Sequence, residues 1–573
     1  MLNLLQFERD ELTDVWLPPA AAGGVRPFAY DDGEQHEQYV LGVVRAAEDL
    51  SDNAPALSSA ATDWPSYYHL APGRSNAFRS LGLPHDITIL ELGAGCGALS
   101  RHLGEQHAHV HCVEGSLRRA TICRTRCRGL NNVTVFCANF SDLELPAAYD
   151  VVVLNGVLEY TPTFLRDRGD GDPAAALIRF SKSVLKPGGI VVIGIENKLG
   201  LKYWCGAPED HTSTLYEGLH GYPSRRDVVT FSRRELTQLL SQAEFNSLQF
   251  FYCFPDYKFT STVFSHPLPP NLWLHNWIDY PAECPGLTRE YSIHEGLAAK
   301  TLYDGGVLAD TANSFLVVAG TDGAAERFRD VFRPSWIAKR LSVRDRDKSY
   351  HRLTTLRSQA EHLTVTKEAL TYPEGPRTAA PDPVSSPWIP GELLLLEMSR
   401  MVVGGAGTDA IVTLLEEYHR EIVARFSTNK TDPAGYPLLQ SRCVDFMLRN
   451  LIRGPNGLVA IDLEWVSPEP IPADFMLFRC LWHDVIGANY AWASRGIGDF
   501  DRFMVRIIRR FYPAYGYRRH ARNKGRERGF LADVGQRQVE SRQFAETALW
   551  MAGRAFVGPV ARLLRQKIGF AVR

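Results

Sequence analysis

Residues 87–97, ITILELGAGCG, constrain this chain more than any other stretch, and they do so together with Glu114 in VHCVEGS. A short apolar run ends in an acid, Glu91, and three glycines come after it at alternate positions, Gly93, Gly95 and Gly97. About twenty residues on, a second apolar run ends in Glu114, the spacing at which a strand-end acid meets a ribose. The pattern predicts a strand, a tight turn, a helix and a second strand with a carboxylate at its tip. Glycine at such a turn takes positive φ and lets the backbone pass close to a ligand. A carboxylate at the second strand's end takes both ribose hydroxyls. The chain therefore reads as one that binds a nucleoside cofactor.

Two cofactors compete. Gly93, Gly95 and Ala98 satisfy the G-x-G-x-x-G/A spacing of a dinucleotide fold, but that match alone does not decide. The later strands of the domain do. Residues 133–138, VTVFCA, read as a third strand that ends at Asn139 and Phe140. Residues 149–160, YDVVVLNGVLEY, hold a fourth strand that ends at Asn155, and LKPGG (185–189) precedes a fifth at 190–196. Helical stretches separate them, so the sheet is parallel with crossover helices and the fold class is α/β. Two late strands, 247–254 and 314–319, close it. With Glu91, Gly93, Gly95 and Gly97 in E-x-G-x-G-x-G form, this series resembles the class I S-adenosylmethionine-dependent methyltransferases. The resemblance implies a Rossmann-like sheet of seven strands with S-adenosyl-L-methionine held by Glu91, the three glycines, Glu114, Asn139, Phe140 and Asn155.

Length and composition set outer bounds. A chain of 573 residues is too long for one ordinary domain. A net charge of −2 gives no bias toward nucleic acid. No window reads as a transmembrane helix, and the N-terminus has acids where a signal peptide needs bases, so a cytoplasmic protein is expected. The ten cysteines form no C-x-x-C pair and read as small buried hydrophobes.

Four segments are expected: an N-terminal arm (1–62), the cofactor domain (63–322), a second domain (325–515) and a basic helical tail (516–573). The stretch WPSYYHLAPGRSNAFRSL (64–81) sits just before the first sheet strand, which places it over the cofactor. Arg74 is expected to meet the methionine carboxylate, with Tyr67 or Tyr68 walling the pocket. A long insertion, 197–230, carries Lys198, Lys202, Tyr203, Asp210, His211, His220, Arg225 and Arg226 near the strands' carboxyl ends, and long loops in compact domains are usually functional. A second insertion, 255–311, adds Trp273, His275, Trp277 and Tyr280. Polar groups with aromatic walls suit a sugar. A hydroxyl acceptor needs a base, for which His211 is the candidate; basic side chains of the insertion would suit an anionic acceptor. Glu159 either borders the methionine end or starts a helix.

Residues 444–465, VDFMLRNLIRGPNGLVAIDLEW, form a second constellation. Asp445 and Asn450 stand in D-x-x-x-x-N spacing, and a hairpin turn at Asn456-Gly457 leads to Asp462. Phosphoryl transfer uses such parts: an aspartate for the substrate proton, and an asparagine and a second aspartate on the metal. This resembles the catalytic and metal loops of the protein-kinase-like fold, with Lys367 in LTVTKEAL as the phosphate lysine. It implies ATP and Mg2+, with Asp445 catalytic and Asn450 and Asp462 on the metal. Cys443 and Val444 replace the usual H-R, no glycine-rich loop is recognisable, and the Pro-rich 371–387 leaves little room for the helix whose glutamate would pair with Lys367.

Taken together, these motifs resemble the bifunctional kinase–methyltransferases that cap the growing end of O-antigen polysaccharides. That resemblance implies a saccharide or phosphorylated glycan end as acceptor, glycosyltransferases of the same pathway as partners, and a C-terminal contact with polymerase or membrane. From Arg518 on there are thirteen Lys and Arg against four acids, which fits a peripheral contact at the inner face of a membrane. Two alternatives stand beside it: a non-catalytic scaffold of a glycan-assembly complex, and a small-molecule methyltransferase with a relic kinase domain.

Overall fold

The computed structural model describes residues 3–19, 32–51, 53–165, 172–224, 227–282, 284, 289–344, 346, 348–359, 362–370, 384–454 and 457–533. In chain order its first fourteen strands are β1 (Glu8–Arg9), β2 (Trp16–Leu17), β3 (Thr88–Leu92), β4 (His109–Glu114), β5 (Val133–Cys137), β6 (Tyr149–Asn155), β7 (Leu185–Glu196), β8 (Ser247–Phe254), β9 (Thr262–Ser265), β10 (Ser314–Gly320), β11 (Trp336–Ser342), β12 (Arg352–Gln359), β13 (His362–Ala369) and β14 (Val384–Pro387). They join one sheet in the order β1-β2-β5-β4-β3-β6-β7-β10-β8-β9-β11-β12-β13-β14.

The seven strands expected from the sequence lie side by side as β5-β4-β3-β6-β7-β10-β8. From β5 to β7 they are parallel, and β10 inserts antiparallel between β7 and β8. Successive residues alternate between the sheet's two faces. Val152 and Leu154 of β6 enter one core, and Val151 and Val153 enter the other. A strand buried on both faces reads as the continuous apolar run VVVL. Strand β7 starts earlier than the sequence suggests: Tyr149 pairs with Leu185 and Val151 with Ile190, so residues 186–189 bulge away from β6. The order reverses between β3 and β6, which opens a crevice at their carboxyl ends, where open α/β sheets take ligands.

The sheet is larger than the seven strands expected. Strand β9, inside the second insertion, pairs with β8 on one side and β11 on the other. It thereby carries the sheet across residues 322–325 into the antiparallel ribbon β11–β14. After β14 the chain forms a separate core around helices Leu394–Val403, Thr408–Phe426, Ala473–Arg479 and Phe500–Phe511. Its small sheets are β15 (Ser427–Thr431), β16 (Pro437–Leu439) and β19 (Ile471–Pro472), and the hairpin β17 (Leu451–Gly454) and β18 (Gly457–Ala460).

The basic tail begins as helix Tyr517–Asp533, packed on this core: Arg519 pairs with Asp474 and Asp432, both at 2.7 Å, and Glu527 with Arg479 at 2.8 Å. The rest of the expected basic tail, 534–573, lies outside the described residues, as do Arg225, Arg226, Asn456 and 371–383. Among the described residues, no helix is long and apolar enough to cross a membrane.

Candidate functional site

The glycine loop is shaped by its neighbours. The amides of Gly93 and Ala94 both donate to Val113 O, at 2.8 and 3.2 Å, which ties the loop to β4. All three glycines have positive φ. A Cβ on Gly93 would stand 2.6 Å from Val157 Cγ2, and one on Gly97 would stand 2.8 Å from Cys123 Cα. Gly97 also opens helix Ala98–Gln106. Glu114, 4% exposed, lies against the loop: its Oε2 accepts from Gly95 N at 2.8 Å and its Oε1 from Ser116 N at 2.9 Å. Glu91 is placed differently. Its Oε2 accepts from Ser100 Oγ at 2.5 Å and lies 3.5 Å from Cys112 Sγ, so it braces β3 to the helix after the loop. Burial, and then the nearby Cys123, push its carboxyl up to about 8.

Helix Trp64–Leu70 is started by Asp63, whose carboxylate accepts from Ser66 N at 2.9 Å. It delivers Tyr68 to the buried Arg74, whose guanidinium lies 4.0 Å from the Tyr68 ring centre and 5.4 Å from that of Phe259. Arg74 Nη1 donates to Lys258 O at 3.1 Å, while Nε is buried without a hydrogen-bond partner. Asn139 and Phe140 come just after the end of β5, with Phe140 edge-on to Phe164. Asn155 ends β6, and its buried Oδ1 has no hydrogen-bond partner. Gly194 on β7 makes the room for it, since a Cβ there would stand 2.3 Å from that oxygen.

Beyond Asn155 lies a buried charged cluster. A Cβ on Gly156 would stand 2.7 Å from Tyr257 Oη and 3.6 Å from Glu159 Oε1, so the cluster begins directly at the strand end. Lys258 pairs with Glu196 and, at 3.2 Å, with Asp210; Lys202 pairs with Asp210 at 2.7 Å. His211 Nε2 lies 3.6 Å from Glu196 Oε2, and its Nδ1 is 3.1 Å from Tyr160 Oη. Burial and then the charge of Glu196 push the Glu159 carboxyl up. Burial acts in the same sense on Glu196, but Lys258 and His211 overcome it and hold that carboxyl low.

Sequence reasoning misses Glu196, Lys258 and Asp256. Glu196 ends a strand, in IENK, which is the one local signal it offers. Of the cations expected to make a basic pocket, the two described ones are paired: Lys198 with Glu235 at 2.7 Å, and Lys202 with Asp210. His220 lies beside the Tyr216 ring. Trp277 and His275 are buried, the former edge-on to Trp388 and the latter against Tyr303.

The second constellation also converges. Lys367, on β13, pairs with Asp462 and, at 2.8 Å, with Glu464. Asp445 Oδ2 accepts from Glu464 N at 2.9 Å, and burial pushes that carboxyl up to about 6. Asn450 Nδ2 donates to Asp445 O at 2.9 Å. Asp462 has a φ of 53°. Glu464 thus lies between Lys367 on one oxygen and Arg346, at 2.9 Å, on the other. Two residues before Arg346, Arg344 donates to Tyr67 Oη at 2.7 Å.

Residues 90–191 match a family described as a methyltransferase domain. The matched stretch runs from β3 into β7 and holds the glycine loop, Glu114, Asn139, Phe140 and Asn155. The chain thus carries a class I S-adenosylmethionine-dependent methyltransferase domain and is an enzyme of that class. Among solved structures, it is similar to an S-adenosylmethionine-dependent methyltransferase of Thermotoga maritima (19% identity, 44% of this chain and 88% of that one, TM-score 0.25). It is also similar to one from Mesorhizobium loti (16%, 44% and 98%, TM-score 0.26) and one from Methanosarcina mazei (17%, 43% and 96%, TM-score 0.25). No curated protein matches the chain.

Proposed function

We propose that the chain transfers a methyl group to a neutral hydroxyl, on a saccharide or glycan end. Bound S-adenosyl-L-methionine supplies the methyl on a sulfonium centre. The glycine loop and Glu114 would hold its ribose and Arg74 its carboxylate, and the residues after Asn155 would align the acceptor. Alignment and exclusion of water are most of what such a displacement asks of a protein.

The observation that carries the hydroxyl reading is the charge balance beyond Asn155. Lys202, Lys258 and His211 face Glu196, Asp210 and Asp256, three cations against three carboxylates, which leaves no surplus positive charge for a phosphate. A hydroxyl must lose a proton on methylation, which would pass to solvent or to an ionised carboxylate of the cluster such as Glu196. The polar and aromatic make-up of the insertions, together with the resemblance to glycan-capping enzymes, supports a sugar. Labelled S-adenosylmethionine offered with neutral glycans and with the same glycans phosphorylated tests the reading. Transfer confined to the phosphate would refute it, as would unchanged methylation of surface polysaccharide in a deletion strain.

The convergence of Lys367, Asp445, Asn450 and Asp462 favours a second activity in the same chain, phosphoryl transfer from ATP with Mg2+ held by Asn450 and Asp462. The expected result is glycan-dependent ATP consumption that Asp445→Ala and Asp462→Ala abolish. Absence of turnover in the wild type with a methylated-glycan precursor would reduce the domain to a scaffold.

A further inference from the structure

We propose that Glu159, Glu196 and His211 form a binding site for one divalent first-row transition-metal ion, of the Mn2+ or Zn2+ type. One ligand-type atom from each lies within 4.8 Å of the other two. Three ligands of one ion at about 2.1 Å each stand no more than roughly 4.2 Å apart, so sub-ångström movements close the site. His211 Nε2 and Glu196 Oε2, at 3.6 Å, already meet that limit.

Two further observations point to a ligand. First, each of the three side chains has a polar atom buried without a hydrogen-bond partner, Glu159 Oε2, Glu196 Oε2 and His211 Nε2, the last two facing each other at 3.6 Å. Both glutamates have no solvent exposure, and buried polar groups in folded proteins are otherwise satisfied. Second, each side chain is held from behind through its other polar atom. Tyr160 Oη holds His211 Nδ1 at 3.1 Å, Lys258 holds Glu196 Oε1, and Tyr257 Oη reaches Glu159 Oε1 at 3.5 Å. Outer contacts of this kind fix the tautomer and aim of metal ligands. The donor set, one imidazole and two carboxylates, suits Mn2+ or Zn2+ and lacks the thiolates a softer ion would want.

The site lies against Gly156, at the acceptor end of the sheet. An ion there would bind the acceptor oxygen and lower the pKa of its hydroxyl, with the released proton passing to solvent or to a cluster carboxylate. That use rests on the hydroxyl reading above; the existence of the site does not.

The test uses the full-length chain after chelation and dialysis, with no acceptor present. Titration with Mn2+, followed by its paramagnetic resonance signal, and calorimetry with Zn2+ should each show one ion per chain. Glu159→Gln, which keeps the side chain's shape, should weaken binding by at least about 100-fold, and Tyr160→Phe, which removes the hydroxyl behind His211, by about 10- to 100-fold. Both variants should keep the metal-free melting temperature of the wild type. Absence of stoichiometric binding at millimolar metal would overturn the proposal and leave the cluster an ion pair beside a neutral acid. Equal binding by wild type, Glu159→Gln and Tyr160→Phe would overturn it too, since the ion would then sit elsewhere. Stoichiometric binding with no effect of metal on transfer to any hydroxyl would keep the site and refute the acceptor reading instead.

Discussion

Replacing Glu114 by glutamine preserves the side chain's volume and changes only what its two terminal atoms can do. In the structure each carboxylate oxygen already accepts one backbone amide, Gly95 N at 2.8 Å and Ser116 N at 2.9 Å. Each oxygen has two acceptor directions, so one remains on each for a ribose hydroxyl. In Glu114→Gln one oxygen becomes an NH2 group that confronts an amide N–H, and the negative charge is gone. The lost charge-assisted contact is worth about 1.5–3 kcal/mol. At 1.4 kcal/mol per tenfold, S-adenosylmethionine should bind about 10- to 150-fold more weakly. Calorimetry with S-adenosylmethionine and with its demethylated product measures this, and a thermal melt on the same sample separates a lost ribose contact from a collapsed loop. A dissociation constant within twofold of wild type, in a variant that melts normally, would refute the placement of the ribose on β4.

Three other outcomes are expected from the same geometry. Arg74→Leu should weaken S-adenosylmethionine by about 10-fold or more while leaving 5′-methylthioadenosine, which lacks the carboxylate, unaffected; equal losses for both ligands would remove Arg74 from the carboxylate. Gly97→Ala should cost at least about 2 kcal/mol in urea unfolding, because a φ of 80° and a contact 2.8 Å from the Cys123 backbone act together, whereas Gly95→Ala meets nothing within 4 Å and should cost only about 1–2 kcal/mol. Glu91 stays protonated in the fold to about pH 8 but ionises near 4.5 when unfolded, so its contribution to stability falls as pH rises between those values. The deficit is about 3 kcal/mol at pH 7, and Glu91→Gln should therefore melt above the wild type at pH 8, with the gap closing by pH 4.5; a constant gap across that range would show that Glu91 is not held protonated.

What the sequence makes legible here is what one segment decides by itself. Apolar runs such as VVVL must be buried on both faces, and the glycines after Leu92 have to sit where β3 meets its helix, so the parallel core and its cofactor end can be read in order. The larger sheet could not be read that way, because β9 is four residues long and gains its meaning from pairing with β8 and β11 on either side. The charged cluster beyond Asn155 has the same character. Lys202 stands out as a cation in an insertion and suggests a basic pocket, but its charge is spent on Asp210, and Lys258 reaches back sixty-two positions to Glu196. Glu464 likewise meets Lys367 from ninety-seven positions away. Burial makes these partnerships compulsory, since an unpaired charge in such surroundings is costly, yet nothing local in the chain says which acid will meet which base. The three atoms at Glu159, Glu196 and His211 left without a hydrogen bond after this pairing are for that reason the most informative ones beyond Asn155. They are where the fold carries an electrostatic cost that an ion or an acceptor hydroxyl would relieve.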